Sequence, residues 1–352
     1  MTNESEVTIY DIADKLGISI ATVSRALNDD PAVIPKTKKK VLEMAEALNY
    51  RANNFARSLR VKQTNTIGVI IPKITSNFMS SVISGIESIA TKEGYGLLIS
   101  QSDEHAENEI KNVKTMFSNR VDGLLVSLAY DTENIKHFEP FSKKNIPVIF
   151  FDRAFENSNH LNIQIDNRKA AYKLTEHLIQ QNCKRIAHIT ASIKRDVYYE
   201  RLMGYKQALK DYKLKFYEEY LFTTNLSMEE GASAARKMLQ LKLKPDAIFA
   251  ANDVSAVGCI LELKKAGMKI PEEIAVAGFN NDPIALVVEP HLTTINYPGF
   301  DMGVISARTL INSIKEKKSV FQENAIILAT ELIIRESTIK PPSLHPLLNS
   351  AQ

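Results

Sequence analysis

Cysteine is scarce in this chain of 352 residues: there are two, Cys183 and Cys259, with no paired spacing and no histidine cluster beside them. That excludes a disulfide scaffold and a cysteine-rich zinc site, and both thiols are expected to be reduced. No apolar run approaches the ~18 residues of a membrane-spanning helix. Glu4 and Glu6 stand where a signal peptide would be basic, so a cytoplasmic protein is expected. No glycine-rich phosphate loop follows a strand-like run, and no Ser, His and Asp constellation stands out, so no enzyme, cofactor or metal site is expected. His188 lies inside an apolar run and reads as a core residue. A large charge excess is missing too. The net charge of +3 implies no nucleic acid by itself. What is present, 44% hydrophobic and 24% charged residues, is the composition of a folded chain with more than one domain.

The charge is unevenly placed. Lys15 to Lys62 holds ten basic residues against four acidic ones, while Glu4, Glu6, Asp11 and Asp14 lie at or before its start. Within the same stretch Thr8 and Asp11 make a capping signature, and Ile9, Ile12, Ala13 and Leu16 repeat at helical spacing. Gly17 suits a residue of positive φ, and Ser19 caps a second helix with Val23, Ala26 and Leu27 on its apolar side. Ala13, Gly17 and Val23 supply the small residue, the turn glycine and the aliphatic of a helix-turn-helix. A third helix, Lys36 to Leu48, is expected to place Val41, Leu42, Ala45 and Leu48 on one face and a basic face outside. A small helical domain without a DNA role would share these offsets.

Val7 to Asn28, reading VTIYDIADKLGISIATVSRALN, resembles the headpiece of the LacI/GalR family of bacterial transcriptional regulators. Asn49 and Tyr50, the ARSL element at Ala56 to Leu59, and TNTIGVIIP from Thr64 to Pro72 follow in that family's order. The resemblance implies a homodimeric DNA-binding regulator, in all expectation a repressor, on a pseudo-palindromic operator. Ile20, Ala21 and Arg25 match base-reading positions on the second helix, in the major groove. Arg25 is the sharpest, because a guanidinium fork bonds guanine O6 and N7 together. Thr8, Tyr10, Ser19, Thr22, Ser24 and Asn28 match phosphate-holding positions. Asn53 to Arg60 resembles the hinge helix, with Leu59 as the minor-groove wedge and Arg60 beside it. Ala52 stands where the family commonly has proline, so ordering the hinge should cost more backbone entropy.

Beyond Thr66, apolar runs recur at Ile67 to Ile71, Gly96 to Ile99, Gly123 to Leu128, Val148 to Phe151, Arg185 to Ile189, Ala247 to Ala250 and Ile274 to Ala277, most alternating with helical stretches. Such runs signal parallel sheets covered on both faces, and the length suits two of them. The expected fold is therefore an all-α helix-turn-helix headpiece plus an α/β core of two doubly wound parallel-sheet lobes. The resemblance makes that core periplasmic-binding-protein-like, with crossings between lobes near Asp166, Asn296 and Ile327. It divides the chain into a headpiece (1–52), hinge and linker (53–66), a two-lobed effector and dimerisation domain (67–340) and a tail (341–352).

Ligands of such sheets bind beyond the carboxyl ends of the strands. Carried over by position, Phe78, Met79, Asp152, Arg195, Arg201, Asn252 and Asn280 face the cleft, with Arg201 in RLMGY the most specific match. Asn280 replaces the usual aspartate, and Leu226 falls near where relatives supply a stacking aromatic. A sugar or sugar derivative held by amides and Asp152 is expected, although the two arginines would tolerate an anion. A solute-binding protein or a sugar-processing enzyme of similar core fold is the competing expectation. Pro341, Pro342 and Pro346 break the tail, which holds no heptad, so a dimer rather than a coiled-coil tetramer is expected.

Overall fold

The computed structural model describes residues 7–50, 63–155, 159–194, 196–316 and 325–340. The chain divides into two compact units, Met1–Thr64 and Asn65–Gln352. The first holds α1 (Ile9–Leu16), α2 (Ile20–Leu27) and α3 (Pro35–Ala47). Asp11 closes the start of α1 by accepting the Thr8 amide and hydroxyl, both at 2.7 Å. Gly17 ends it at φ 61°, a left-handed value that glycine adopts without a Cβ clash. Ser19 Oγ accepts the Thr22 amide at 3.1 Å and so starts α2. Ile12, Val23, Val41 and their neighbours Ala13, Ala26 and Ala45 are buried together. Leu42 departs from expectation. It is 53% exposed, because it lies one residue and ~100° around α3 from buried Val41, and Met44 packs on the core instead.

In the second unit the apolar runs form parallel strands. The first lobe is built from β1 (Thr66–Ile71), α4 (Asn77–Lys92), β2 (Gly96–Gln101), α5 (Ala106–Ser118), β3 (Gly123–Val126), α6 (Glu139–Lys143), β4 (Val148–Phe151) and β5 (Leu161–Ile165). The second contains α7 (Asn167–Gln180), β6 (Ile186–Thr190), α8 (Asp196–Asp211), β7 (Leu221–Thr223), α9 (Met228–Gln240), β8 (Ala247–Ala250), α10 (Asp253–Lys265) and β9 (Ala275–Ala277). After β10 (Thr294–Asn296) the chain returns to the first lobe as α11 (Gly299–Glu316) and β11 (Ala325–Leu328), then ends on β12 (Glu331–Ile333). The first sheet has the order β11-β5-β4-β3-β1-β2 and the second β7-β6-β8-β9, with every pairing parallel.

The lobes are joined three times: after β5 at Asp166, between β10 and α11, and between β11 and β12. The third crossing lies just past Ile327, which is inside β11. Antiparallel pairing of β10 with β12 ties the last two crossings into one ribbon. Helix α11 lies close against α4 because Gly303 has no Cβ; one there would meet the Val82 carbonyl oxygen. Among the described residues, no helix is long and apolar enough to cross a membrane, and no group of three His, Cys, Asp or Glu could hold a metal ion.

Candidate DNA-reading face and interlobe cleft

The headpiece presents its candidate DNA-reading residues outward. Arg25 is exposed with no carboxylate at ion-pairing distance among the described residues, Ile20 is 39% exposed, and Ala21 is exposed. Val23 and Ala26, on the opposite side of α2, hold the helix to the core. Tyr10 is 64% exposed at the start of α1. Ser19 and Thr22 hydroxyls are 2.8 Å apart, and Asn28 Nδ2 donates to the Ser24 carbonyl at 2.7 Å. Ser19 and Thr22 thus sit at the start of α2, and Ser24 and Asn28 at its end, each pair tied by its own hydrogen bond. Leu59 and Arg60 lie outside the described residues.

In the second unit the strand ends of both lobes converge. Asp152 follows β4 with φ 59°, and this left-handed turn sends it and Arg153 inward. Asp152 is nearly buried and accepts the Tyr297 hydroxyl at 2.8 Å and the Ser127 hydroxyl at 3.1 Å. Burial, with Asp152 beside it, pushes the Tyr297 phenol well above its ordinary value, so it stays a donor. Arg201, on α8, is 4% exposed; its Nε donates to Asn167 Oδ1 at 2.9 Å and an Nη to the Ala251 carbonyl at 2.8 Å. The guanidinium lies 3.7 Å from the Phe279 ring centre. No carboxylate pairs with it among the described residues. Burial accordingly drives its pKa down.

Asn280 stands at φ 113°, its amide bonded to the Ile295 carbonyl at 3.0 Å. It lines a cavity of about 450 Å³ between the lobes, together with Asn77, Phe78, Ser81, Asn281 and Asn296. Asp282 and Asp301 also border it, and among the described residues no lysine or arginine does. Phe78 stacks near Tyr297, with ring centres 4.2 Å apart.

The other candidates are placed differently. Met79 is 3% exposed and packed in the hydrophobic core. Asn252 caps α10: its Oδ1 accepts the Ser255 amide at 2.9 Å, and its Nδ2 donates to the Leu226 carbonyl at 3.0 Å. Leu226 is buried in the second lobe, so the aromatic surfaces here come from Phe279, Tyr297 and Tyr198. Arg195 lies outside the described residues. Sequence reasoning missed Glu104, Tyr130, Tyr198 and Tyr297 altogether, since each sits in a loop or helix far along the chain from its partners. Arg153 stood in plain view beside Asp152. His188 is a core residue as expected, with Nδ1 bonded to the Phe249 carbonyl at 2.9 Å and its pKa pushed by burial down to about 4.

Comparison with known proteins agrees with this architecture. Residues 8–53 match the family described as bacterial regulatory proteins, lacI family, and residues 175–338 a periplasmic binding protein-like domain. The catabolite control protein A of Priestia megaterium is 34% identical over 334 residues, 94% of this chain and 99% of that protein. The ribose operon repressor of Halalkalibacterium halodurans is 30% identical over 331 residues, 94% and 97% of the two chains. The solved lac repressor dimer bound to operator and an anti-inducer superposes with a TM-score of 0.85 over 95% of this chain and 100% of that one, at 24% identity. With an outward helix-turn-helix, two parallel-sheet lobes and this full-length likeness, the chain belongs to the lacI family of bacterial regulatory proteins.

Proposed function

We propose that this repressor binds a pseudo-palindromic operator as a homodimer, through α2 and the hinge that follows, and that a small neutral polyhydroxylated ligand in the interlobe cleft changes its operator affinity. The domain limits expected from the sequence, 1–52, 53–66, 67–340 and 341–352, belong to this reading. So does the assignment of Thr8, Tyr10, Ser19, Thr22, Ser24 and Asn28 to phosphates and of Ile20, Ala21, Arg25, Leu59 and Arg60 to the grooves. One observation carries the ligand class: among the described residues, the cavity beside Asn280 is lined by the amides of Asn77, Asn280, Asn281 and Asn296 and bordered by two carboxylates, and no lysine or arginine lines it. Amides supply donors and acceptors together, as hydroxyl groups require, whereas a phosphate here would meet like charge. A sugar is the natural member of that class, and the ribose operon repressor among the relatives suits it.

The protein acts in this reading without a cofactor, in the cytoplasm and without turnover. A thermal-shift screen of sugars and their phosphates tests the ligand class, since a ligand at 100 times its dissociation constant stabilises by ~2.7 kcal/mol. Stabilisation by a neutral sugar, unchanged sugar after long incubation, and a shift in operator titrations are the expected outcomes. Stabilisation only by phosphorylated sugars would reject the neutral ligand, and product formation would reject the non-enzymatic reading.

A further inference from the structure

Away from the Asn280 cavity, Arg153 and two tyrosines occupy part of the space between the lobes, beside a second cavity of about 270 Å³ bordered by Ala154, Gln164 and Asp196. Arg153, from the first lobe, is buried, and its guanidinium lies 4.3 Å from the ring centre of Tyr130 in its own lobe and 5.7 Å from that of Tyr198 in the second. One Nη donates to Glu104 at 2.6 Å and reaches the Leu128 carbonyl at 3.4 Å, and the other reaches the Tyr198 hydroxyl at 3.4 Å. Asp152 is 3.8 Å away on the Nε side. The Tyr130 and Tyr198 hydroxyls are themselves 3.2 Å apart across the lobes. Two residues earlier on α8, Asp196 accepts the Ala154 amide at 3.3 Å and the Gln164 side chain at 2.8 Å, both from the first lobe.

A buried guanidinium would be costly in such a place unless it were paired and bonded. Here two carboxylates, a carbonyl, a hydroxyl and two aromatic faces surround it, which is how a binding site treats a bound cation. Two of those six groups, the Tyr198 ring and its hydroxyl, come from the opposite lobe: remove Tyr198 and the cation loses one ring and, among the described residues, its one partner across the cleft. Arg201 sits on the same helix, three residues beyond Tyr198, with Tyr198 5.6 Å from its guanidinium. The first turns of α8 thus join the lobe contact to the candidate effector contact.

We propose that Arg153 is a built-in ligand of the cleft: its guanidinium, held between Tyr130 and Tyr198, joins the lobes at the Glu104 end, confines the effector to the Asn280 end and sets how far the lobes open before effector binds. It is a positioning and specificity-determining residue, reaching effector through its neighbour Asp152 and through Tyr198 on the helix that carries Arg201. The proposal rests on the reading of the cleft as the effector site for its specificity part alone; the joining of the lobes is independent of any effector.

The test uses the full-length homodimer without sugar. Hydrogen exchange at the Ala154 amide, which is bonded across the lobes, and small-angle scattering report opening together. Wild type should be protected at Ala154 and compact. Arg153→Ala should exchange at Ala154 at least ~10-fold faster and scatter as a larger particle, while amides of the β3 and β8 strands keep their protection and so show the fold intact. Tyr198→Phe, which keeps the ring and removes the hydroxyl, should move the same way by less. Guanidinium chloride at low millimolar concentration, far below denaturing levels, should reclose Arg153→Ala by occupying the vacated place, whereas sodium chloride should not. An already open wild type, unchanged exchange in both variants, or an opened Arg153→Ala that free guanidinium does not reclose would each overturn the proposal. Arg153→Ala binding no wider a range of sugars in the thermal-shift screen would overturn its specificity part only.

Discussion

The headpiece and the cleft use polar side chains in opposite ways. On α2, Arg25 is exposed and unpaired among the described residues, and the residues that hold the helix are its apolar neighbours Val23 and Ala26. Reading and folding are carried by different side chains there. In the cleft, Asp152, Arg153, Arg201 and Tyr297 are buried, each already bonded or stacked within the protein, and Arg153 also reaches across the lobes to Tyr198, so the groups that would respond to ligand also hold the fold. Substitutions at the outward base-reading positions of α2 should therefore change binding without stability, and those in the cleft should change both and fail to add.

The largest break in that comparison is expected at Asp152. Asp152→Ala strands the Tyr297 and Ser127 hydroxyls and takes one carboxylate from beside Arg153, so denaturant unfolding should show a loss of about 3 to 5 kcal/mol. A loss below ~1 kcal/mol would mean that water replaces the carboxylate, and the cleft is looser than its contacts imply.

Asp253 sharpens the comparison through pH. It is fully buried at the start of α10, accepting the Thr294 hydroxyl at 2.6 Å and the Asp282 amide at 2.7 Å, and so ties the Asn280–Asp282 loop to the crossing strand β10. Burial raises its pKa from 3.8 to about 8. The fold therefore favours its protonated form, a stabilisation present below the ordinary value and lost as pH rises through about 8. The melting temperature of Asp253→Asn minus that of wild type should climb between those limits and level off above. A pH-independent difference would show the carboxylate charged throughout.

On the headpiece, Arg25→Ala should weaken specific operator binding by roughly 1 to 3 kcal/mol, with scrambled duplex and the unfolding midpoint nearly unchanged. Equal losses on both duplexes would make Arg25 a phosphate contact. Ser19→Ala removes the cap of α2 and should cost the headpiece ~1 kcal/mol in stability, the smallest of these effects, seen by exchange of the α2 amides.

Much of this arrangement was legible before the structure. All seven apolar runs became strands: six are buried on both faces, which demands apolar residues, while β2 is a half-exposed edge strand whose apolar run exceeds what its burial requires. The strands that escaped notice fail that condition. Strand β5 alternates buried Leu161, Ile163 and Ile165 with polar Asn162 and Gln164, β11 is an edge strand with exposed Ile327, and β7, β10 and β12 have three residues each. Capping and turn chemistry at Thr8, Gly17 and Ser19 is local and was read correctly. Leu42 was not, since a run of neighbouring apolar residues on α3 leaves open which of them points inward. In the cleft, strand ends gave Asp152 and Asn280, whereas the pairing of Tyr130 with Tyr198 spans 68 residues and two lobes. Asn252 shows the reverse case: its place at a strand end was visible, but its capping of α10 depends on where the helix begins.

If ligand in the cleft controls the DNA-reading face, thermodynamic linkage measures that control directly. With the sugar that most stabilises the protein, operator affinity is titrated with and without sugar, and sugar affinity by calorimetry with and without operator. The two factors should be equal and differ from one, typically by ~5- to 150-fold. A sugar that binds and stabilises the second unit while leaving operator affinity unchanged would contradict it.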